Sequence, residues 1–136
     1  MRSLPQVIGP TEQALRTLLD QAIADLPIPG YLGWVAMNIS ADGRPRAILE
    51  ADLERATRCG ARAAADAVSE LVALGLLDAG GALTATGLSE LRSARERIGA
   101  ITRSLVADIA ETDLALATDV LDRVRDRAET LLQVGA

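Results

Sequence analysis

Apolar residues near the start of the chain recur at spacings of three and four, which is the pattern of one buried helical face. They are Leu15, Leu18, Leu19, Ala22, Ile23 and Leu26. The pattern predicts a first helix that starts at residues 10–12, with Thr11 as its N-cap, and stops before Pro27 and Pro29. Residues 1–9 are expected to be a loose arm.

The middle of the chain alternates apolar helical runs with turn residues. Residues 30–39 are predicted to form a short second helix, and residues 40–45 a turn. Two further helical runs follow, over residues 48–56 and 61–74, separated by the junction Cys59-Gly60. Two successive helices joined by such a short turn predict a helix-turn-helix.

The segment after these helices is rich in glycine. Gly75 closes the helical run, and residues 76–84 contain two short apolar stretches joined at Gly80-Gly81. Two adjacent glycines suit a primed two-residue turn, because both can adopt positive φ, so a β-hairpin is predicted here. A helix-turn-helix followed by a hairpin is the plan of a winged helix, which places its second helix in the DNA major groove.

After residue 84 the apolar pattern is helical almost to the end of the chain, but its phase changes once. A first seam contains Leu91, Ala94, Ile98, Ile101 and Leu105. A second seam contains Leu114, Ala117, Leu121, Val124, Ala128 and Leu131. Because the two seams differ in register, we expect a break between Asp108 and Asp113. Two helices are therefore predicted, one over Thr86–Asp108 and one over Glu111–Val134.

Two explanations of these seams remain open. The two helices could pack against each other within one chain. Alternatively, the first helix and the last two could interlock with a twofold mate, since so small a chain has little else to cover long apolar helices.

Two short motifs resemble those of the MarR family of bacterial transcriptional regulators. Residues 71–77, LVALGLL, match the Leu-x-x-x-Gly-Leu-Val/Leu end of that family's recognition helix. Residues 83–91, LTATGLSEL, match the Leu-Thr-x-x-Gly-x-x-x-Leu sequence beyond its wing. Residues 31–38, YLGWVAMN, are similar to the family's second helix.

The resemblance implies a mainly α protein in one MarR-like domain over residues 1–136. Residues 30–84 would form the winged helix-turn-helix with its small β-hairpin. Residues 10–27 and 86–134 would form N- and C-terminal dimerisation helices. The implied partners are a second copy of the chain and double-stranded DNA.

The same resemblance implies a small-molecule pocket between the dimerisation helices and the winged helix. An effector bound there would release the protein from its operator. Tyr31, Trp34 and Met37 would lie near that pocket, and Arg16 could neutralise an anionic ligand. The competing interpretation places Trp34 and Met37 in the core.

The amino-acid composition excludes several kinds of catalytic and metal site. The 136 residues suit one domain, and they include no histidine, which excludes a His-based triad and a His metal site. The single Cys59 excludes an internal disulfide, although it is a candidate redox thiol beside Arg58. No phosphate-binding glycine loop or nucleophile elbow is present, so we expect no enzyme, cofactor or metal site. No apolar run approaches the roughly 20 residues of a membrane span, which predicts a cytoplasmic protein.

The charge pattern leaves room for a local basic surface. The net charge of −5 argues against indiscriminate nucleic-acid binding, and all 14 basic residues are arginines. The candidate DNA contacts surround the predicted helix-turn-helix: Arg44, Arg46, Arg55, Arg58, Arg62 and Ser69. Arginines there could contact backbone phosphates, and Arg62 and Ser69 are the polar residues expected on the outer face of the second helix. The alternative is that these arginines pair with nearby carboxylates.

Two features depart from the MarR pattern. Ala65-Asp66 stands where the family often has Ser or Thr followed by a basic residue, and the predicted hairpin carries no cation. The sequence therefore favours a homodimeric, DNA-binding transcriptional regulator of the MarR type, with one alternative. That alternative is a degenerate winged-helix protein that has lost DNA binding and binds a small molecule or a protein partner.

Overall fold

The computed structural model describes residues 1–135, which form six helices and no β-strand. The helices are α1 (Leu4–Ile23), α2 (Gly30–Ser40), α3 (Arg46–Thr57), α4 (Ala61–Ala73), α5 (Ala85–Leu105) and α6 (Glu111–Val134). The chain divides into two compact units, Met1–Ala100 and Ile101–Ala136. The prediction of a mainly α protein is confirmed.

The first unit is built around α2, α3 and α4, which pack on one another, while α1 packs on α2. Its core is aliphatic and is drawn from five helices and the segments between them. The buried residues are Ile23, Ile28, Ala36, Met37, Leu49, Leu53, Ala64, Ala67, Val68, Leu71, Leu76, Leu77, Leu91 and Ala94. Buried residues of α3 and α4 thus share one core, which packs the two helices together as a helix-turn-helix.

The first helix begins earlier than predicted. It starts at Leu4, where the Gln6 side-chain oxygen accepts a hydrogen bond from the Ser3 backbone N–H at 2.8 Å, so residues 4–9 are helical. Pro10 lies inside α1. Its missing N–H leaves the carbonyl of Gln6 without a helical partner, and that residue is exposed, so water can satisfy it. The helix ends at Ile23, before the predicted stop at Pro27.

The predicted β-hairpin wing is wrong. Between α4 and α5 there is one isolated antiparallel bridge, Leu77 to Leu83, and no strand or sheet among residues 1–135. The Asp78 side chain accepts hydrogen bonds from the backbone N–H groups of Gly80 (2.9 Å) and Ala82 (3.0 Å). These bonds close a compact loop on one side of the bridge, and α5 begins at Ala85 on the other side, so the pairing is limited to the single bridge.

The turn within that loop also differs from the prediction. Gly81 donates its N–H to the carbonyl of Asp78 at 3.0 Å, which centres the turn on Ala79 and Gly80. Only Gly81 of the adjacent glycine pair has a positive φ, at 88°. A primed turn needs positive φ at both central residues, so Gly80-Gly81 does not form one.

The residues that resemble MarR motifs have clear structural roles. Gly75 has φ 76°, and the N–H groups of Gly75 and Leu76 bond to the carbonyls of Val72 and Leu71, which is a Schellman ending for α4. Thr84 caps α5, because its hydroxyl accepts a hydrogen bond from the Gly87 N–H at 3.0 Å. These motifs therefore encode how one helix ends and the next begins.

The predicted break in the C-terminal helical pattern is confirmed. Residues 106–110 separate α5 from α6, and α6 covers the predicted range Glu111–Val134, whereas α5 ends at Leu105 and not at the predicted Asp108. Ala110 adopts an extended conformation, and its carbonyl accepts from the N–H groups of Asp113 and Leu114 at 3.0 Å. The change in apolar phase located this break without a glycine or proline.

The second unit contains the end of α5 and the whole of α6. No residue of α6 is buried among the described residues. Its large apolar side chains are partly or mostly exposed, Leu116, Leu121, Val124, Leu131 and Leu132 among them. None of the helices described is both long enough and apolar enough to pass through a lipid bilayer.

Candidate nucleic-acid interface

The turn between α3 and α4 is exposed and has an unusual backbone. Arg58 follows the last residue of α3 in a left-handed conformation, with φ 54° and ψ 32°, and donates its N–H to the carbonyl of Glu54 at 2.7 Å. It is the only non-glycine residue with positive φ among residues 1–135. Gly60, with φ 92°, then leads into α4, whose N-terminus has no side-chain cap. The arginine side chain is thereby carried on a sharp corner between the two helices.

An open cleft of about 460 Å³ lies at this corner. It is lined by Ala51, Glu54, Arg55, Arg58 and Gly60. Two of its five lining residues are arginines and one is a carboxylate, so the lining carries a net positive charge. Such a cleft is suited to an anionic group, and the phosphate of a nucleic-acid backbone is one such group.

Arg44 and Arg55 share one carboxylate. Arg44 contacts Asp52 at 3.1 Å and Arg55 contacts the other oxygen of Asp52 at 2.8 Å. Two guanidinium groups on one carboxylate leave one positive charge unbalanced. The Arg55 side chain is also 76% exposed, so it is accessible to a further anion.

Arg46 is engaged within the helix-turn-helix. Its Nε donates to Glu50 at 3.2 Å, and its Nη2 donates to the Ser69 hydroxyl at 2.9 Å. The second bond ties the start of α3 to the outer face of α4. In this arrangement Ser69 and Arg46 satisfy each other, and neither is free to read a base edge.

Arg58 and Arg62 are exposed, and neither forms an ion pair within residues 1–135. Arg62 lies in the first turn of α4, and Arg58 lies at the corner just before it. Together with Arg55 they form a cluster that we call the corner arginines. Of the six predicted DNA contacts, these three are the ones whose charge is most available.

The remaining outer face of α4 is acidic. Asp66 and Glu70 are exposed, and Ala65 is half-buried. Carboxylates repel phosphate, so this part of α4 weakens any approach to DNA. The loop over residues 77–83 contains no basic residue that could offset the repulsion.

The residues predicted to bind a small molecule are divided between the core and the surface. The Arg16 guanidinium lies over the Tyr31 ring, 4.4 Å from its centroid, and also contacts Glu12. Trp34 is half-buried and packs against the core, while Met37 is fully buried in it. Cys59 is partly buried, with its Sγ 3.5 Å from the carbonyl of Gly60.

Polar contacts that attach α5 to the first helices were not anticipated from the sequence. Arg95 donates to the Asn38 side-chain oxygen at 2.9 Å. Arg97 donates to the carbonyl of Ala22 at 3.2 Å and to the carboxylate of Asp25. The hydrogen bond from Arg97 holds the pKa of Asp25 below its usual value, and the same bond raises the pKa of Arg97.

No protein-family model matches the chain, and no significant match was found among curated proteins or among solved structures.

Proposed function

We propose that this protein is a homodimeric DNA-binding transcriptional regulator of the MarR type that lacks a wing. Its α3–α4 pair is the DNA-binding element, and the corner arginines Arg55, Arg58 and Arg62 contact the phosphate backbone. The resemblance of residues 71–77 and 83–91 to MarR motifs supports the assignment of α4 as the recognition helix.

One observation carries the proposal more than any other: Arg58 is unpaired, exposed and left-handed at the helix-turn-helix corner. A left-handed conformation costs an L-residue about 1–2 kcal/mol, and glycine would avoid that cost. Strained residues concentrate at functional sites. The position therefore favours a role for the arginine side chain that glycine could not serve.

The composition of α4 implies that phosphate contacts dominate the affinity. Arg62 is the one exposed basic residue on this helix, and Ser69 is occupied by Arg46. Few side chains are left to read bases in the major groove. Two half-sites read by two copies of α4 would double both the phosphate contacts and the limited base contacts.

Exposed apolar side chains support a dimer. Leu4, Val7 and Leu15 are exposed on α1, and Leu116, Leu121 and Leu131 on α6. Each helix is amphipathic, and apolar faces of this kind are usually covered in an assembly.

The test is a fluorescence-anisotropy titration of the purified protein against DNA from upstream of its own gene, repeated over a series of salt concentrations. We expect specific binding that weakens steeply with salt. Arg58→Ala or Arg62→Ala should each weaken binding, and each should reduce the salt slope by about 0.9 for every phosphate that the arginine neutralises in the wild type. Arg92→Ala is the matched control, because Arg92 is an exposed arginine of α5 and lies outside the α3–α4 pair.

The second candidate function is a degenerate helix-turn-helix protein that binds a protein or small-molecule partner instead of DNA. The acidic pair Asp66 and Glu70 on the outer face of α4 favours it. Weak, sequence-independent association that is equally sensitive to Arg92→Ala and Arg58→Ala would overturn the first function in favour of the second.

A further inference from the structure

Asp52 is the one carboxylate within residues 1–135 that forms ion pairs with two arginines. Arg44 Nη1 lies 3.1 Å from one of its oxygens, and Arg55 Nη2 lies 2.8 Å from the other. Arg44 precedes α3 and reaches Asp52 from the N-terminal side, whereas Arg55 reaches back from a position three residues further along the helix. One carboxylate thereby holds an arginine from each side.

The three side chains differ in how far they are exposed. The Asp52 side chain is 16% exposed, whereas those of Arg44 and Arg55 are 50% and 76% exposed. The negative charge is thus recessed, and the two positive charges that it holds are at the surface. Two guanidinium groups and one carboxylate carry a net charge of +1, so the group attracts an incoming anion.

Both arginines keep hydrogen-bond donors that Asp52 does not use. A guanidinium group has several N–H donors, and the bond to Asp52 uses one terminal nitrogen of each arginine. Neither arginine side chain forms another hydrogen bond within residues 1–135. The remaining donors can bind the oxygens of a phosphate diester, for which the planar guanidinium group is well suited.

We propose that Asp52 is a positioning residue for DNA binding, which holds Arg44 and Arg55 in the conformation that contacts the phosphate backbone. Long arginine side chains lose rotational freedom when they bind, and a carboxylate that orders them beforehand reduces that cost. Arg44 thereby joins the phosphate contacts, beside the open cleft that Arg55 and Arg58 line. This inference rests on the proposed function, since it concerns the same DNA-binding surface.

The sign of one charge substitution tests this role. Removing a carboxylate from a DNA-binding surface ordinarily strengthens binding, because a charge that repels phosphate is lost. Asp52→Asn should instead weaken binding on the order of tenfold at low salt, because two arginines are no longer ordered.

Glu54→Gln is the matched control for Asp52→Asn. Glu54 is on the same helix and lines the cleft, but it forms no ion pair within residues 1–135. Because Glu54 holds no arginine, Glu54→Gln removes only repulsion and should strengthen binding. Gains from both substitutions would overturn the proposal.

The salt series separates positioning from a loss of folded protein. Asp52→Asn should lower the salt slope by at most about 0.9 for each arginine that no longer holds a phosphate. Partial unfolding leaves that slope unchanged, and circular dichroism measures the folded fraction directly. Arg44→Ala replaces an exposed side chain and should lower the slope in the same way, even if Asp52→Asn does not fold. An unchanged slope for Arg44→Ala would overturn the proposal.

A second background shows whether Asp52 acts through its two arginines. In an Arg44→Ala/Arg55→Ala protein, Asp52 has no arginine to hold, and only its repulsion of phosphate remains. Asp52→Asn should then strengthen binding in the same anisotropy titration at low salt. Weakening in both backgrounds would indicate a structural role and would overturn the proposal.

These titrations distinguish this inference from the proposed function. If the wild type binds DNA specifically and Asp52→Asn binds as tightly or more tightly, the positioning role alone is overturned. If the wild type shows no specific binding, the proposed function is overturned and the positioning role with it.

Discussion

Gly87, in the first turn of α5, lies directly against the backbone carbonyl of Leu76. A Cβ atom at position 87 would overlap the Leu76 carbonyl oxygen and would lie 2.9 Å from its carbonyl carbon. Both residues are buried, and Leu76 also accepts a hydrogen bond from the Thr84 N–H at 3.1 Å. The glycine thus lets the start of α5 lie against the segment that leaves α4.

Gly87→Ala should therefore destabilise the protein, because either α5 or the segment after Gly75 must move. We expect a loss of about 1–3 kcal/mol in the free energy of unfolding, as for other overpacked cores. Chemical denaturation followed by circular dichroism measures it. Gly80→Ala is the control: it has a negative φ and one ordinary contact, and should change stability by less than about 0.5 kcal/mol. Equal effects of the two substitutions would contradict the role assigned to Gly87.

Ser40 should matter for stability although it is a small polar residue. It is buried, and its hydroxyl donates to the carbonyl of Gly81 at 2.6 Å, which links the end of α2 to the loop before α5. Ser40→Ala leaves that buried carbonyl without this donor and should cost about 1–3 kcal/mol. Thermal unfolding of this variant is compared with that of Ser93→Ala, an exposed position on α5 that should be nearly neutral. A neutral Ser40→Ala would show that the bond contributes little.

The Asp25–Arg97 pair predicts a pH-dependent contribution to stability. The folded state lowers the pKa of Asp25, so the pair stabilises the fold at pH values above the unfolded pKa and loses that effect as the pH falls through the folded one. The Tm difference between wild type and Asp25→Asn should therefore be present at neutral pH and vanish in acid. Asp20→Asn, an exposed α1 carboxylate, is the control. A difference that persists unchanged into acid would contradict the prediction.

Removing the acidic charge from α4 should strengthen DNA binding if α4 faces the groove. Asp66→Asn deletes a carboxylate from the exposed face without changing the size of the side chain. We expect tighter binding in the anisotropy titration, with the gain largest at low salt because screening removes it. Glu96→Gln removes an exposed charge from α5 and should have a much smaller effect. Identical gains from both variants would indicate only a change in net charge.

The sequence predicted helix bounds best where the apolar pattern ends at a glycine or changes its phase. The bounds of α4 were found because its apolar face ends at Gly75, and those of α6 because the seam changes phase before Glu111. The start of α1 was missed because Pro10, like Pro5, suits the first turn of a helix. The sequence signal for the earlier start is the capping-box spacing of Ser3 and Gln6, which precedes Pro10.

The wing was predicted wrongly because paired glycines are compatible with more than one turn. The Asp78 side chain favours the turn that forms, since it accepts hydrogen bonds from the N–H groups of Gly80 and Ala82 within the loop. Its effect depends on the three-dimensional path of the loop. Periodicity and turn propensity do not contain that information.

The sequence predicted where the candidate interface lies, but it did not predict which of its arginines are free of ion pairs. Arg58 and Arg62 could be selected from their place in the helix-turn-helix. The bond between Arg46 and Ser69 joins residues 23 positions apart, and the sharing of Asp52 by Arg44 and Arg55 depends on side-chain directions. Such pairings decide which arginines remain free to contact an anion. The order of residues along the chain does not reveal these pairings.

The left-handed backbone at position 58 favours glycine for stability, whereas the positive charge of the corner requires arginine there. Arg58→Gly would relieve the torsional strain and should raise the melting temperature, since glycine adopts φ near 54° freely. The same exchange deletes the most prominent cation of the corner. Selection for stability alone would favour glycine at position 58. Retention of arginine at this position in other species would therefore indicate selection for a contact made by its side chain.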